Sequence, residues 1–541
     1  MTAKGIFQSS FANNIFLQKY SMNGQETWQD TCKRVVEAVT GQLLPSDIKE
    51  ELYNAMVERK FIPGGRYLYS AGREFHAVNN CYLFRAEDSR EGWADLMFKS
   101  TASLMTGGGI GVDYSLVRPE GAVIRKTGGT STGPLALMNM VNEAGRNIMQ
   151  GGQRRSAIWA GLNWSHNDTK KFIHLKDWSE EAKALKAKDF NFPMPMEGTN
   201  ISVIYDTEFF IAIEDKKHPK HKQAMEVWMD NCRQAFTTAE PGMGFNFCKD
   251  SESLRNACCE IVSSDDSDKC NLGTVWMNRC GDKDEFGRIC FIATIFLLCG
   301  GIYSQTPFEK IREVGSQNNR IGLGLGGMHE WLMARGMPYL VTTELHKWLN
   351  VYERESDSSA YVWSKNLDVA IPKGKRAIAP TGTIGIIAET TTGIEPLFCK
   401  AFKRRYLNKD QEWVHEFVVD GSVKRLLNQG IKLEHIKDSY DISFRDRVKF
   451  QADVQQYVDM AISSTCNMAQ WGSPDNNEDT LEKNAKTLLK YAKRLRGFTC
   501  YPDAARGGQP LTRVDLDEAL KHEGVVFEEK EVECVGGVCG V

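Results

Sequence analysis

After Pro63-Gly64-Gly65 the sequence changes texture, and that change constrains the fold more than any other feature. From there to about residue 505, short apolar segments alternate with glycine-rich turns and longer helical stretches. A chain written this way builds strands joined by helices, so residues 61–505 are expected to form an α/β core. Residues 1–60 read differently: Trp28, Cys32, Val35 and Val36 recur at helix spacing, as do Leu52, Met56 and Val57. This stretch is expected to be a helical N-terminal segment. No internal repeat of the kind that builds solenoids or propellers is present. The end changes again: residues 520–533 are dense in Glu and Lys, and the chain closes on Cys534-Val-Gly-Gly-Val-Cys539-Gly-Val. With little to bury, residues 506–541 read as a flexible tail.

Composition excludes several roles. A net charge of −3 with 25% charged residues gives no general nucleic-acid or membrane-surface binder. The basic run Lys403-Arg404-Arg405 reads as a solvated face. The first residues lack the apolar stretch of a signal peptide. The most apolar run, Cys290 to Tyr303, falls short of the ~20 residues that cross a bilayer. A cytoplasmic location is expected. There the chain's 15 cysteines stay reduced, and each is by default a small buried hydrophobe. A working cysteine has to be recognised by its surroundings.

Three places stand out. Cys534 and Cys539 sit on the flexible tail, where exposed thiols suit thiol–disulfide exchange or metal capture. A zinc site needs more ligands at closer spacing, and no His or further Cys lies nearby, so exchange is the better reading and no metal site is assigned. In Asn256-Ala-Cys258-Cys259-Glu260, an amide, a thiol and a carboxylate lie two residues apart. On extended backbone they share one face and could supply a hydrogen-bonding group, a nucleophile or radical carrier, and a general base. The plainer alternative is a buried cysteine beside a surface glutamate. Cys270-Asn-Leu-Gly follows shortly after, and Cys81 opens a strand-like Cys-Tyr-Leu-Phe; alone, Cys81 reads as core.

Glycine-rich segments offer places for phosphate. Ala379-Pro380-Thr381-Gly382-Thr383-Ile384-Gly385 combines small residues, hydroxyls and a following helix, which brings backbone N–H groups and a favourable dipole. It lacks the Gly-Lys-Ser/Thr ending of a P-loop. Gly107-Gly108-Gly109-Ile110-Gly111 and Gly322 to Gly327 are weaker candidates, and the second reads as packing. Gln150-Gly-Gly-Gln-Arg154-Arg155 adds cations on a loop suited to an anionic or nucleotide ligand.

Taken together and in this order, these segments resemble ribonucleotide reductase catalytic chains over roughly residues 30–541. The resemblance implies a ten-stranded α/β barrel of two parallel five-stranded halves, with Asn256, Cys258 and Glu260 carried into its centre on a finger loop. It implies that Cys81 and Cys270 supply reducing equivalents and that Cys534 and Cys539 reduce them again, reset by a thioredoxin-like partner. Pro380, Thr381, Gly382, Thr383 and Ile384, with Gly393-Ile394-Glu395-Pro396, match the substrate-phosphate loop. Asn80, Gly109 and Arg154 match substrate-binding positions, with Gln150 to Ala157 coupling effector to base. Asp88 and Arg118 match an allosteric site for deoxynucleotide or ATP effectors at the interface of a homodimer; their plainer reading is a surface ion pair.

The resemblance also bears on the radical source. No Tyr-Tyr pair occurs in the chain, and no Arg-Val-x-Gly lies near its end. Phe498-Thr-Cys-Tyr501-Pro-Asp503 resembles instead the closing strand of adenosylcobalamin-dependent reductases, departing from their usual wording at Pro502, Ala504 and Ala505. Adenosylcobalamin is therefore the expected cofactor and a ribonucleoside diphosphate, or a triphosphate, the expected substrate. The alternatives are an oxygen-dependent catalytic subunit with a separate radical-generating subunit, and a non-catalytic nucleotide-binding or redox-sensing homologue.

Overall fold

The computed structural model describes residues 7–150, 154–189, 192–407, 413–505 and 511–527. Three helices open the chain: α1 (Ser10–Lys19), α2 (Trp28–Thr40) and α3 (Ser46–Val57). In α2, Thr27 and Asp30 cap each other's backbone amides at the N-terminus, where helical amides lack internal partners. Trp28, Cys32, Val35, Val36 and Val39 follow at steps of three and four and are all buried.

Ten strands form one sheet. They are β1 (Phe61–Pro63), β2 (Cys81–Arg85), β3 (Gly109–Asp113), β4 (Ile158–Asn163) and β5 (Thr199–Tyr205). The others are β6 (Gly242–Phe245), β7 (Asp268–Trp276), β8 (Ile321–Gly326), β9 (Thr465–Met468) and β10 (Gly497–Pro502). β2 to β6 pair in chain order, each neighbour parallel. β7–β8 and β9–β10 are parallel pairs too. The two sets meet antiparallel at β7–β2 and at β10–β6. The gap between β8 and β9 is closed by residues 376–378, where Arg376 bridges Leu323 and Ile378 bridges Ile462, both parallel. β1 lies outside this circuit, antiparallel to the far end of β7. The wall is thus a barrel of two parallel halves: β2 to β6 run one way, and β7, β8, residues 376–378, β9 and β10 run the other. The expected ten-stranded barrel is met.

Helices cover the outside. One apolar cluster joins the N-terminal helices to β7, β8, the helix α6 (Lys283–Tyr303) and the helix α7 (Thr343–Asn366). A second packs helices, among them α4 (Arg90–Met105) and α5 (Gly133–Arg146), on the first half. A third, smaller cluster sets Leu83, Leu272 and Ala377 of the wall against Leu254, Ile261 and Val262 of the loop between β6 and β7. The run Cys290 to Tyr303, expected to be too short to cross a membrane, is part of the 21-residue α6, which by length and composition is long enough. Its most apolar window is 72% buried inside the protein, so it serves as a core helix.

Beyond β10 the chain continues to pack. Leu511–Arg513 pairs with the strand Ala401–Leu407, and Val526–Phe527 pairs with Trp413–Val419. Between them the helix Leu516–His522 seats Ala519 in a small core with Val419, Val423 and Leu426. The stretch expected to be a flexible tail therefore carries folded elements in 511–527, seated by apolar residues that the surrounding charge masks in the sequence. Cys534 and Cys539 lie outside the described residues.

Candidate active site

The chain leaves β6 at Phe245, enters the barrel and returns at Asp268. On the way Leu254–Arg255 and Val262–Ser263 pair as a short hairpin. Room for this finger comes from β3. A Cβ on Gly111 would stand 1.8 Å from the Arg255 carbonyl oxygen, and one on Gly109 would stand 3.0 Å from the Ala257 Cβ. The Gly-Ile-Gly of β3, a phosphate-loop candidate in the sequence, is thus a groove for the finger's backbone. Arg255 fastens the hairpin: its buried guanidinium donates to the carbonyls of Glu252 and Phe245 and to the Asn246 side chain. Burial pulls its pKa down to about 9. The Asn200 amide donates to the Ala257 carbonyl at 3.2 Å.

At the tip, residues 256–260 are not extended, as the shared-face argument supposed. They form a turn, in which the Cys259 N–H donates to the Asn256 carbonyl at 3.0 Å. Cys259 takes the left-handed φ of +68°, which glycine reaches without cost. Its thiol has Arg255 and Ser202 as neighbours and is pushed up to about 12, by burial first. The turn still gathers the expected residues. Asn256 is fully buried; its Nδ2 donates to Cys81 Sγ at 3.0 Å and its Oδ1 accepts from the Ile261 N–H at 3.0 Å. Cys258 is half-buried. Glu260 is 1% exposed, and its Oε2 is buried without a hydrogen-bond partner among the described residues. Burial pushes the Glu260 carboxyl up to about 7, against the pull of its own amide and of Asn256.

Cys81 and Cys270 stand directly opposite each other in the antiparallel β2–β7 ladder. Opposed residues in such a ladder have Cα atoms about 4.5–5.5 Å apart, within the span a disulfide bridges. The Cys81 thiol is held well above its ordinary pKa by burial and then by the nearness of Glu260, Cys258 and Cys270. Cys270 is raised likewise by burial, then by Asp268 and Glu260. Both are therefore protonated near neutral pH, and Glu260 is an electrostatic neighbour of each.

The loop Pro380 to Ile384 follows directly on the closing segment 376–378. Thr381 sits at a left-handed φ of 50°, with its hydroxyl buried and without a partner among the described residues. The helix α8 (Gly382–Ala388) starts there, and nothing fills the space where a Gly382 Cβ would stand. Pro380 and Gly382 are exposed, Thr383 is half-buried and Ile384 is buried. Behind it, Glu395 Oε1 accepts from the Thr465 N–H at 2.7 Å and Oε2 from the Thr392 hydroxyl at 3.2 Å, and burial raises this carboxyl. Asn80, next to Cys81 in the chain, presents a buried Oδ1 without a partner among the described residues. Arg154 lies on a two-residue strand paired with Met149–Gln150. Asp88 and Arg118 pair with each other at 2.7 Å, about a third exposed. Sequence reasoning missed Arg59, Arg279, Glu330, Glu389 and Arg425, which gather at the far end of α8. They are scattered along the chain, so no linear motif could have found them.

A thiol on a turn inside a barrel, a carboxylate poised near neutrality and an opposed dithiol define a thiol-based oxidoreductase. Comparison with known proteins makes this particular. The family profile described as "Ribonucleotide reductase, barrel domain" matches residues 79–220, 194–350 and 374–501, and "Ribonucleotide reductase, all-alpha domain" matches residues 6–76. The chain belongs to the ribonucleotide reductase family, as a large, catalytic chain. It is 26% identical over 537 residues to a "Vitamin B12-dependent ribonucleoside-diphosphate reductase" of Thermoplasma acidophilum, covering 86% of this chain and 67% of the relative. A protein of the same name from Mycobacterium tuberculosis (strain CDC 1551 / Oshkosh) is 25% identical over 576 residues, covering 94% and 80%. The solved "class Id ribonucleotide reductase alpha subunit" of Actinobacillus ureae shares the fold with a TM-score of 0.72 at 14% identity, covering 92% of this chain and 97% of that one.

Proposed function

We propose that this chain reduces ribonucleoside diphosphates to 2′-deoxyribonucleotides with adenosylcobalamin as its radical source. The observation that carries the reading is the convergence of Cys258, the buried Glu260 carboxyl and the opposed Cys81 and Cys270 thiols inside one barrel. The relatives named as vitamin B12-dependent reductases support the cofactor, as does the lack of a tyrosine pair. The site fits such a group: Cys258 is half-buried on the finger's turn while Asn256 and Glu260 beside it are buried. A cavity of about 270 Å³ beyond the end of β10, lined by Trp178, Lys183, Trp471, Asp503 and Ala504 among others, offers aromatic faces and polar groups to hold part of it. When bound, adenosylcobalamin supplies the one-electron chemistry that turns the Cys258 thiol into a thiyl.

The chain's residues do the rest. The Cys258 thiyl takes the 3′ hydrogen of the ribose. Glu260 accepts the 3′-hydroxyl proton, for which a pKa near 7 suits it. Asn256 orients substrate and Cys81 together. One thiol of the Cys81/Cys270 pair protonates the departing 2′-hydroxyl, which leaves as water. The two thiols give up two hydrogens in all and end as a disulfide, and Cys258 returns the 3′ hydrogen to the product carbon, ending as the thiyl with which the cycle began. Cys534 and Cys539 exchange with that disulfide and are reset by a thioredoxin-like partner. Pro380 to Ile384 hold the substrate phosphates, and Asn80, Gly109 and Arg154 hold the remainder of the nucleotide. Exposed Phe98 and Met105 on α4 and Met140 on α5 form the apolar face of a homodimer, with Asp88 and Arg118 serving the effector site near it. Chemistry that runs on reduced thiols suits the cytoplasm.

The test is anaerobic turnover of labelled CDP with dithiothreitol, with and without adenosylcobalamin, on wild type and Cys258→Ala. Deoxycytidine product requiring both cofactor and Cys258 is expected. Absence of product on both CDP and CTP with the cofactor present would remove the cobalamin reading.

A further inference from the structure

At the C-terminal end of α8, backbone carbonyls have no partner within the helix. Three arginines take them. Arg59 Nη1 donates to the Ile387 carbonyl at 3.0 Å, Arg279 donates to Ala388 and Arg425 donates to Glu389. Cations there also oppose the helix dipole. Two carboxylates share the space: Glu389 accepts from Arg59 at 2.7 Å, and Glu330 accepts from Arg425 at 2.8 Å and from the Thr390 hydroxyl at 2.6 Å. Arg279 is pulled down to about 10, by burial first and then by Arg59 and Arg425, and its Nε is buried without a partner among the described residues.

Glu389 does one thing more. Its carboxylate accepts the N–H groups of Gln8 and Ser9, at 3.1 and 2.8 Å. These residues are pinned from the other side by Phe7, whose ring packs on Phe16 and Trp28 under the Arg59 guanidinium, 5.4 Å away. The Ser9 side chain then caps α1, and α1 lies against α8. The N-terminal residues are therefore strapped to the back of the helix whose front end forms the phosphate loop. A helix of this length is about 10 Å long, and it moves as a rod.

We propose that Glu389 and Arg59 are positioning residues for the substrate phosphate: together with residues 7–9 they fix the seat of α8, so that strap docking and phosphate binding favour each other. The inference rests on reading Pro380 to Ile384 as the phosphate loop. Coupling of this kind is reciprocal: if the strap aids phosphate binding, phosphate binding must steady the strap.

The experiment uses the full chain. CDP turnover is measured for wild type, Glu389→Gln, Phe7→Ala and, as a reference for the loop itself, Thr381→Ala. Amide exchange over residues 7–19 is followed with CDP, with cytidine and without ligand. Glu389→Gln and Phe7→Ala are expected to raise the KM for CDP roughly five- to tenfold with kcat within about twofold. In wild type, CDP but not cytidine slows exchange of the strap amides, and Glu389→Gln abolishes that slowing. The exchange measurement in wild type needs no variant to fold. If Thr381→Ala raises KM while both strap variants match wild type and the strap amides ignore CDP, the inference fails and the phosphate loop stands. If kcat and melting temperature fall along with binding, the role is structural only and the inference fails as well. If Thr381→Ala leaves KM unchanged, the phosphate-loop reading falls and takes the inference with it.

Discussion

Glu260 is a carboxylic acid in a place that resists its charge. Its pKa rises in the fold from 4.5 to about 7, so the native state binds a proton that the unfolded chain has already lost. The group therefore costs nothing below pH 4.5; its burden builds as pH rises through the window to 7 and stays constant above. Glu260→Gln is expected to melt higher than wild type at pH 8, by up to about 3 kcal/mol of stability, and to match it at pH 4. Equal melting at both pH values would show that Glu260 is not raised. Turnover should move the other way. Loss of a general base costs roughly 10²- to 10⁴-fold in kcat, and the wild-type rise in rate through pH 7 should vanish in the variant. The opposed thiols make a second expectation. Without reductant, each chain should release about two deoxynucleotides and lose about four alkylatable thiols, one pair from Cys81 and Cys270 and one from Cys534 and Cys539. Cys81→Ser should retain those thiols, and a variant that still loses them would place the disulfide elsewhere.

At the scale of the element, the finger depends on a glycine outside it. Gly111→Ala would drive a methyl into the Arg255 carbonyl, backbone against backbone, and neither can yield. An unfolding cost above about 2 kcal/mol is expected, with activity lost further than stability because Cys258 and Glu260 move with the hairpin. Melting curves beside CDP turnover check this; an alanine that leaves both unchanged would mean the finger is not seated on β3. The residues proposed as catalytic were legible in Asn256-x-Cys258-x-Glu260 only beside the other cysteines and glycine loops in register, since alone that pattern also fits a buried cysteine beside a surface glutamate. They do not share a strand face, as extended backbone would require. A turn with Cys259 in the left-handed region gathers them instead, and a cysteine there gives no hint of positive φ. The role of Gly109 and Gly111 was hidden for the same cause: a glycine marks close approach, but the sequence does not name what approaches. The strap on α8 was invisible because its members meet only after folding.

For the whole molecule, the alternation of strands and helices announced an α/β core and the family resemblance implied the barrel, whose closure came from a segment too short to read as a strand. The outer faces of α4 and α5 are the place to test assembly. Phe98→Glu with Met105→Glu should turn a dimer into a monomer in sedimentation experiments and abolish the response to effectors, leaving unstimulated turnover within a few-fold. An unchanged sedimentation coefficient would put the interface elsewhere. The wall itself is uneven. β4 and β5 pair over six residues, whereas residues 374–378 are joined to β8 by three backbone hydrogen bonds and to residues 460–463 by three more. On that segment the Lys375 and Arg376 amides are held by the carboxylate of Asp459, at 2.9 and 2.7 Å. This stave runs straight into the loop Pro380 to Ile384. An outward lean of the seam carries that loop with it, so the same give in the wall that relaxes the barrel would also loosen the grip on a finished product.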